Sequence, residues 1–308
     1  MKSVREIGDI SGKKVLVRVD WNVPLVDGLV RDDLRIKRSL DTVNFLVEKG
    51  ARVTLMTHLE PEERTVEVLK HFLPTGVEML ENLRQNKGEK DNSEEFAKEL
   101  ASNQDYYVNE AFSASHREHA SIVLVPKFLP SFAGLGFINE VENLSKAFSP
   151  KHPFLFILGG AKFETKLPLV KKFLNIADGI FIAGLNAKPA FEMGFDKEPK
   201  ITLPIGDISA PDLTSENLDI LNEKIENSEF IVWNGPLGKY EDGLKEGTLR
   251  LAQMLGNSGK EVVVGGADTL AAIKELDISD KFTFVSSGGG AMLDFLASGT
   301  LPGIEALS

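Results

Sequence analysis

The sequence predicts an α/β fold: two doubly wound, mostly parallel-sheet (Rossmann-like) domains joined by a hinge helix. Three observations predict it. Short apolar, β-branched runs alternate with helix-period stretches along the whole chain. Polar or glycine-rich residues cluster just after the strands, where parallel sheets bind ligands. The length, 308 residues, is large for one core and suits two.

In order, residues 14–19 (K-V-L-V-R-V) form a strand that ends in Asp20-Trp21-Asn22. Asp33 caps a helix running to Lys49, with Leu40, Val43 and Leu46 on one face and Gly50 as its stop. A strand at 52–56 carries His58 at its C-terminal end. A weaker helix at 65–72 stops before Pro74, and a short strand at 77–80 leads into Glu81-Asn82-Leu83-Arg84. Ser93 caps a helix through Leu100, and a strand at 106–108 precedes the stretch His116-Arg117-Glu118-His119. Asp20, Asn22, His58, Arg84 and Arg117 all follow strands, where they can hold an anion. Taken singly, each also reads as an ordinary surface or capping residue. The two histidines around Glu118 lack a third ligand at metal-binding spacing.

A helix at 137–148 is broken by Ser149-Pro150, where the domain boundary is placed. Strands follow at 154–158, 180–183, 201–203, 230–233, 262–264 and 282–285. Helices fall between them, up to one at 291–296. The tail at 301–307 is apolar enough to pack back on something. Four of these strands run into glycine turns, L-G-G-A-K, V-W-N-G-P-L-G, V-G-G-A-D-T and V-S-S-G-G-G-A. Together they predict a groove lined by backbone N–H groups, with a nucleotide as its natural occupant. At the first turn, Gly159 and Gly160 bring the backbone close to a ligand. A helix starting near Thr165 would place Lys162 before its first turn and Lys166 inside it, making an anion site. The same stretch also reads as a plain strand–turn–helix with solvated lysines. Asp268 reads as a helix cap, or beside a polyphosphate as a carboxylate reaching Mg²⁺.

Composition narrows the classes. Net charge is −11, without the basic excess of a nucleic-acid or membrane-surface binder. There are no cysteines, which excludes thiolate catalysis and Cys-based zinc sites. No apolar h-region opens the chain and no run approaches a membrane span, so a cytoplasmic protein is expected. The commonest P-loop and dinucleotide fingerprints are absent.

As an ordered set, the motifs resemble the phosphoglycerate kinase family over nearly the whole chain. They are V-R-V-D-W-N-V-P at 17–24, D-D-L-R-I at 32–36, T-H-L at 57–59, E-N-L-R at 81–84 and V-N-E-A-F at 108–112. H-R-E-H-A-S at 116–121, L-G-G-A-K at 158–162, V-W-N-G-P-L-G at 232–238, G-G-A-D-T at 265–269, S-S-G-G-G-A at 286–291 and L-P-G-I-E-A-L at 301–307 complete it. The resemblance implies a 3-phosphoglycerate domain, 1–148, with the tail 297–308 returning to it, and a nucleotide domain, 149–296. It implies reversible phosphoryl transfer between ATP/ADP with Mg²⁺ and a carboxylate acceptor, by a monomer. By position, Asp20, Trp21, Asn22, Arg35, His58, Arg84 and Arg117 would bind substrate. Gly159, Gly160, Lys162, Lys166, Asn234, Glu241, Gly265, Gly266, Ala267, Asp268 and Thr269 would bind nucleotide, with Asp268 reaching Mg²⁺ through its phosphates. Arg35, Lys162, Lys166, Gly266 and Gly289 would serve the transfer step, with Arg35 and Lys162 contributed by different domains that close before transfer.

The sequence also departs from the family. After the second strand the family usually reads H-L-G-R-P; here His58 is followed by Leu59-Glu60-Pro61, with Arg64 nearby. Losses fall between 61 and 77 and between 196 and 228. G-G-G-M becomes A-G-L-N at 183–186, D-I-G-P-K-T becomes D-I-S-A-P-D at 207–212, Ala267 replaces a glycine and Glu110 an aspartate. Two other readings follow from these changes: a catalytically impaired nucleotide-binding relative acting as an interaction protein, or a kinase with an altered carboxylate acceptor. A dehydrogenase would share the architecture but would need the missing dinucleotide fingerprint.

Overall fold

The computed structural model describes every residue from Met1 to Ser308. The chain divides into two compact units, Met1–Glu142 with Thr300–Ser308, and Asn143–Gly299.

The first unit carries strands β1 (Lys14–Arg18), β2 (Leu25–Val26), β3 (Leu29–Val30), β4 (Arg52–Met56), β5 (Glu78–Met79), β6 (Tyr106–Asn109) and β7 (Ser131–Ala133). Its sheet has the order β5-β4-β1-β6-β7, every pair parallel, and β2–β3 form a separate antiparallel hairpin. Helix α1 (Leu34–Glu48) lays Ile36, Val43 and Leu46 against Val15, Val17, Val53 and Leu55. This is the apolar stripe an amphipathic helix must cover. Short α2 (Lys87–Lys90), α3 (Glu94–Ala101) and the start of α4 (Leu135–Ser145) complete the unit before the tail.

The second unit has β8 (Phe154–Leu158), β9 (Gly179–Ile182), β10 (Ile201–Thr202), β11 (Phe230–Asn234), β12 (Glu261–Gly265) and β13 (Phe284–Val285). They form one parallel sheet ordered β10-β9-β8-β11-β12-β13. Its helices are α5 (Phe163–Phe173), α6 (Ala187–Glu192), α7 (Ser215–Glu226), α8 (Glu246–Asn257), α9 (Ala267–Glu275) and α10 (Gly290–Ser298). Leu155, Ile157, Ile231 and Trp233 face α7, α8 and α9. The alternate residues Phe154 and Phe156 meet Phe173 of α5, with the Phe156 and Phe173 rings stacked 4.9 Å apart. Both central strands, β8 and β11, are buried along their whole length, as a sheet covered on two faces requires. In each unit the strand order reverses beside the first strand, and α/β sheets bind ligands at that crevice.

Several boundaries differ from the sequence reading. The division falls at Glu142, inside α4, rather than at Ser149-Pro150. Residues just past α4 belong with the second unit, because Lys146 pairs with Glu261 at 3.1 Å and Phe148 packs on Phe295. The Ser-Pro break marks the end of a helical run, not of a core. The tail joins the first unit from Thr300, through α11 (Pro302–Glu305). Residues 66–72 coil as a 3₁₀ helix, and β2, β3, β7 and α2 are too short for periodicity to reveal. No helix is long and apolar enough to cross a membrane.

Candidate functional site

In the first unit, β1 delivers Asp20 to the crevice. Its Oδ2 accepts from Arg35 Nη1 at 3.1 Å and from the Ser113 hydroxyl, and its Oδ1 accepts from Asn22 N at 3.2 Å. Burial alone would raise this carboxyl; the charges of Arg35, His58 and Arg18 and the Ser113 hydrogen bond together outweigh it and hold Asp20 at about 2. Arg35, from the first turn of α1, also donates to Asn22 O at 3.2 Å.

His58 follows β4 and is buried. Arg18 Nη2 lies 3.1 Å from its Nδ1, and because an arginine can only donate, that nitrogen acts as the acceptor. Arg117 Nη1 stands 3.5 Å from Nε2. Burial and the charge of Arg18 push His58 down to about 3, with Arg84 and Arg117 adding to the effect. The ring is therefore neutral at physiological pH and set among three guanidiniums. His119 is pushed down to about 4 by burial and the same arginines. The crevice is a cationic basin whose His58 and His119 are both neutral at physiological pH.

Sequence reading missed the base of this basin. Arg18 is fully buried within β1, and its Nε donates to Ser121 Oγ at 2.9 Å. Ser121 in turn donates to the buried Glu89 at 2.6 Å. Arg18 occupies an alternate position in an apolar run, and a charge there was the available signal. Trp21 requires a correction. It is wholly buried in the core, its indole N–H donating to Ser39 Oγ at 2.7 Å, so it supports the crevice and does not line it.

In the second unit the loops after β8 and β11 lock together at the switch point. Gly159 N donates to Asn234 O at 2.8 Å and Gly160 N to Pro236 O at 2.7 Å. The expectation that these N–H groups face a ligand is corrected: they are spent on the neighbouring loop. A Cβ on Gly159 would lie 2.2 Å from Pro236 O, so glycine here permits one loop to touch the other. Lys162 takes a left-handed conformation (φ 61°) as the cap of α5, which starts at Phe163, and its side chain is exposed. Lys166 donates to Gly159 O at 2.8 Å, and burial lowers its ammonium to about 8.

Gly266, at φ 105°, turns the chain from β12 into α9. The first helical bond of α9 is Leu270 N to Gly266 O, 2.9 Å, which leaves the N–H groups of Ala267, Asp268 and Thr269 at the positive end of the helix. Asp268 is half-buried; burial and the nearby charge of Glu241 raise its carboxyl above the usual range. A cation beside it would relieve both effects. One carboxylate plus phosphate oxygens is a donor set that suits Mg²⁺, and no group of three His, Asp or Glu side chains is placed to hold a metal alone. Gly289, at φ 55°, makes the equivalent turn into α10.

Two further residues are corrected at their side-chain positions. The Thr269 side chain is fully buried, its hydroxyl accepting from Gly235 N at 3.1 Å, so only its backbone N–H faces the helix end. Gly265 ends β12 against Met292, whose sulfur would lie 2.2 Å from an added Cβ, and serves packing beneath the turn. Asn234 is also largely buried, its amide 3.7 Å from Met292 Sδ. Sequence reading missed Asn186 as a site-forming residue. Its Nδ2 donates to Gly159 O at 2.6 Å, while its buried Oδ1 has no partner.

A basin of guanidiniums on one Rossmann-type sheet, and lysines with a helix N-terminus on another, form the kind of arrangement that suits phosphate oxygens, as a phosphotransferase requires. A family model for phosphoglycerate kinase matches residues 4–73, 61–198 and 189–299. The chain belongs to the phosphoglycerate kinase family, whose members transfer a phosphoryl group to a carboxyl acceptor. It is similar to the phosphoglycerate kinase of Finegoldia magna, 33% identical over 99% of this chain and 98% of the relative. That of Dictyoglomus turgidum is 35% identical over 97% and 96%. The Finegoldia alignment extends over 390 positions, more than this chain's 308 residues, so the relative carries segments that this chain lacks. Among solved structures, phosphoglycerate kinase from Pyrococcus horikoshii superposes with a TM-score of 0.86 at 27% identity, covering 100% of this chain and 98% of that one. The Coxiella burnetii enzyme gives 0.85 at 29%, covering 99% and 98%.

Proposed function

We propose that this chain moves the terminal phosphoryl group between MgATP and the carboxylate of 3-phosphoglycerate, as a cytoplasmic monomer. The observation that carries the reading is the basin around His58: three arginines converge on a histidine that is neutral at working pH. A basin of that kind binds anions and supplies no general base. A carboxylate acceptor needs none, being ionised at neutral pH, so the chemistry rests on positioning and positive charge.

In this reading Arg84 and Arg117 hold the acceptor's phosphate, and Asp20 and Asn22 orient its hydroxyl end. Arg35, whose planar fork spans two oxygens, faces the moving group. In the second unit Lys162, Lys166 and the N–H groups at the start of α9 hold the nucleotide phosphates, with Gly266 and Gly289 letting the backbone approach. Glu241 serves the ribose. Asp268 would hold Mg²⁺ together with those phosphates, and the ion when bound neutralises charge on the phosphate oxygens. The test is a coupled assay with MgATP and 3-phosphoglycerate, run beside Lys162→Ala. Turnover that the variant loses supports the proposal; intact ATP binding without turnover in the unmutated chain overturns it.

A further inference from the structure

Within the arginine basin, one arginine already has a negative partner. Arg84 is nearly buried, its side chain 4% exposed, and its Nη2 lies 3.5 Å from Glu60 Oε1. Its Nε is buried and has no hydrogen-bond partner, so the guanidinium is held by its stem and retains donor capacity. Burial and the charge of Arg117 both lower Arg84, while Glu60 and Glu89 act against them.

The backbone around Glu60 is fixed from several sides. Glu60 N donates to Asn22 Oδ1 at 3.2 Å. Asn82, buried, accepts from Leu59 N at 2.8 Å and donates to the carbonyls of Leu59, Glu62 and Arg64 at 3.1, 3.1 and 2.9 Å. Glu62 is tied away to Lys90. The loop therefore aims the Glu60 side chain at Arg84. That side chain is itself 54% exposed, so a change of rotamer withdraws it without moving the loop.

We propose that Glu60 is an affinity-tuning residue of the acceptor site. It is a built-in carboxylate that occupies Arg84 and lowers the affinity for the acceptor's phosphate. The inference rests on the reading of this basin as the acceptor-phosphate site. An incoming phosphate carries close to two negative charges and must displace a single one that is tethered beside its partner. Even after displacement, the glutamate remains near enough to repel it. The pair is part-exposed, so the effect is moderate, about three- to tenfold in affinity.

The test compares Glu60→Gln with Glu62→Gln, a change in the same loop away from Arg84. Both are exposed positions, and thermal unfolding verifies that each variant folds. Inorganic phosphate binding is measured by calorimetry on the full chain, taking the component that Arg84→Ala abolishes; the KM for 3-phosphoglycerate is measured by turnover. Glu60→Gln is expected to tighten phosphate binding and lower KM by about three- to tenfold, with kcat within twofold, while Glu62→Gln changes neither. Unchanged or weaker phosphate binding in Glu60→Gln overturns the assignment, whatever the turnover. Tighter phosphate binding in a chain with no turnover upholds the role of Glu60 and removes the proposed reaction instead.

Discussion

Arg35 shows how a residue can be marked by its surroundings more than by its own burial. It is 34% exposed, yet its Nη1 reaches both Asp20 Oδ2 and Asn22 O. Its head is thus held in the crevice by a carboxylate and a backbone carbonyl. Arg35→Ala is expected to lower kcat by about two to four powers of ten, comparable to losing one transition-state donor or an arginine finger. Steady-state turnover of a variant with near-normal thermal unfolding checks this; near-normal kcat refutes the role. At this scale the sequence was informative where a polar side chain follows a strand, as at Asp20, His58 and Arg84, which lie together at one crevice. It was uninformative where a side chain could face either way. Trp21 lies between two crevice residues, but the tight turn after β1, closed by Val23 N to Trp21 O at 2.9 Å, leaves its side chain in the core. Arg18 is hidden for the converse reason: a buried charge is tolerable only with partners, and those partners, Ser121 and Glu89, lie 103 and 71 positions further along the chain.

At the scale of elements, the glycine turns were legible as turns, while their use differed from turn to turn. Gly266 and Gly289 have φ values that side-chain-bearing residues avoid, and each opens a helix. Gly159 is needed for proximity instead, since the loops after β8 and β11 touch backbone to backbone. Gly159→Ala should therefore cost about 2–3 kcal/mol through overpacking against a carbonyl that cannot swing away. Denaturant unfolding reads this loss, and a variant as stable as the parent would mean that the loops part easily.

Helix α4 yields a second prediction. Glu110 is buried at its start, accepting from Thr42 Oγ1 at 2.9 Å and from Gly136 N at 3.0 Å. Added Cβ atoms on Gly134 and Gly136 would fall within 1.7 and 2.2 Å of its carboxyl oxygens, so both glycines make room for it. Burial pushes Glu110 up to about 8, against the pull of those hydrogen bonds. The folded chain thus holds a proton between about pH 4.5 and 8 that the unfolded chain releases. The resulting stabilisation is complete below pH 4.5 and is lost as pH rises through 8, on the order of a few kcal/mol. Urea unfolding from pH 5 to 9 should show a fall that Glu110→Gln flattens; parallel profiles would place the proton elsewhere.

For the whole molecule, strand–helix alternation was enough to predict two parallel sheets, because a parallel strand pair needs a crossover and the crossovers here are helices. The division of the chain was less legible, since one helix carries residues of both units and the last nine residues rejoin the first. That return is anchored by packing that a local reading cannot see. Gly303 N donates to Ser115 O at 2.9 Å, and an added Cβ there would fall 2.5 Å from Ser115 Oγ. Ser115 also receives the Asn109 amide at 3.1 Å, which links the tail to the end of β6. Leu301 and Leu307 are almost fully buried. Ending the chain at Gly299 removes both leucines and uncovers Ile122, at a cost of about 3–6 kcal/mol by apolar burial. The loss should fall on the first unit. In limited proteolysis the shortened chain is expected to be cut first within residues 1–142 while a fragment covering 143–299 persists. Calorimetry should show a lowered transition for the first unit beside one little changed for the second. Equal loss in both units would mean that the tail supports the molecule through something other than the contacts of Gly303, Leu301 and Leu307.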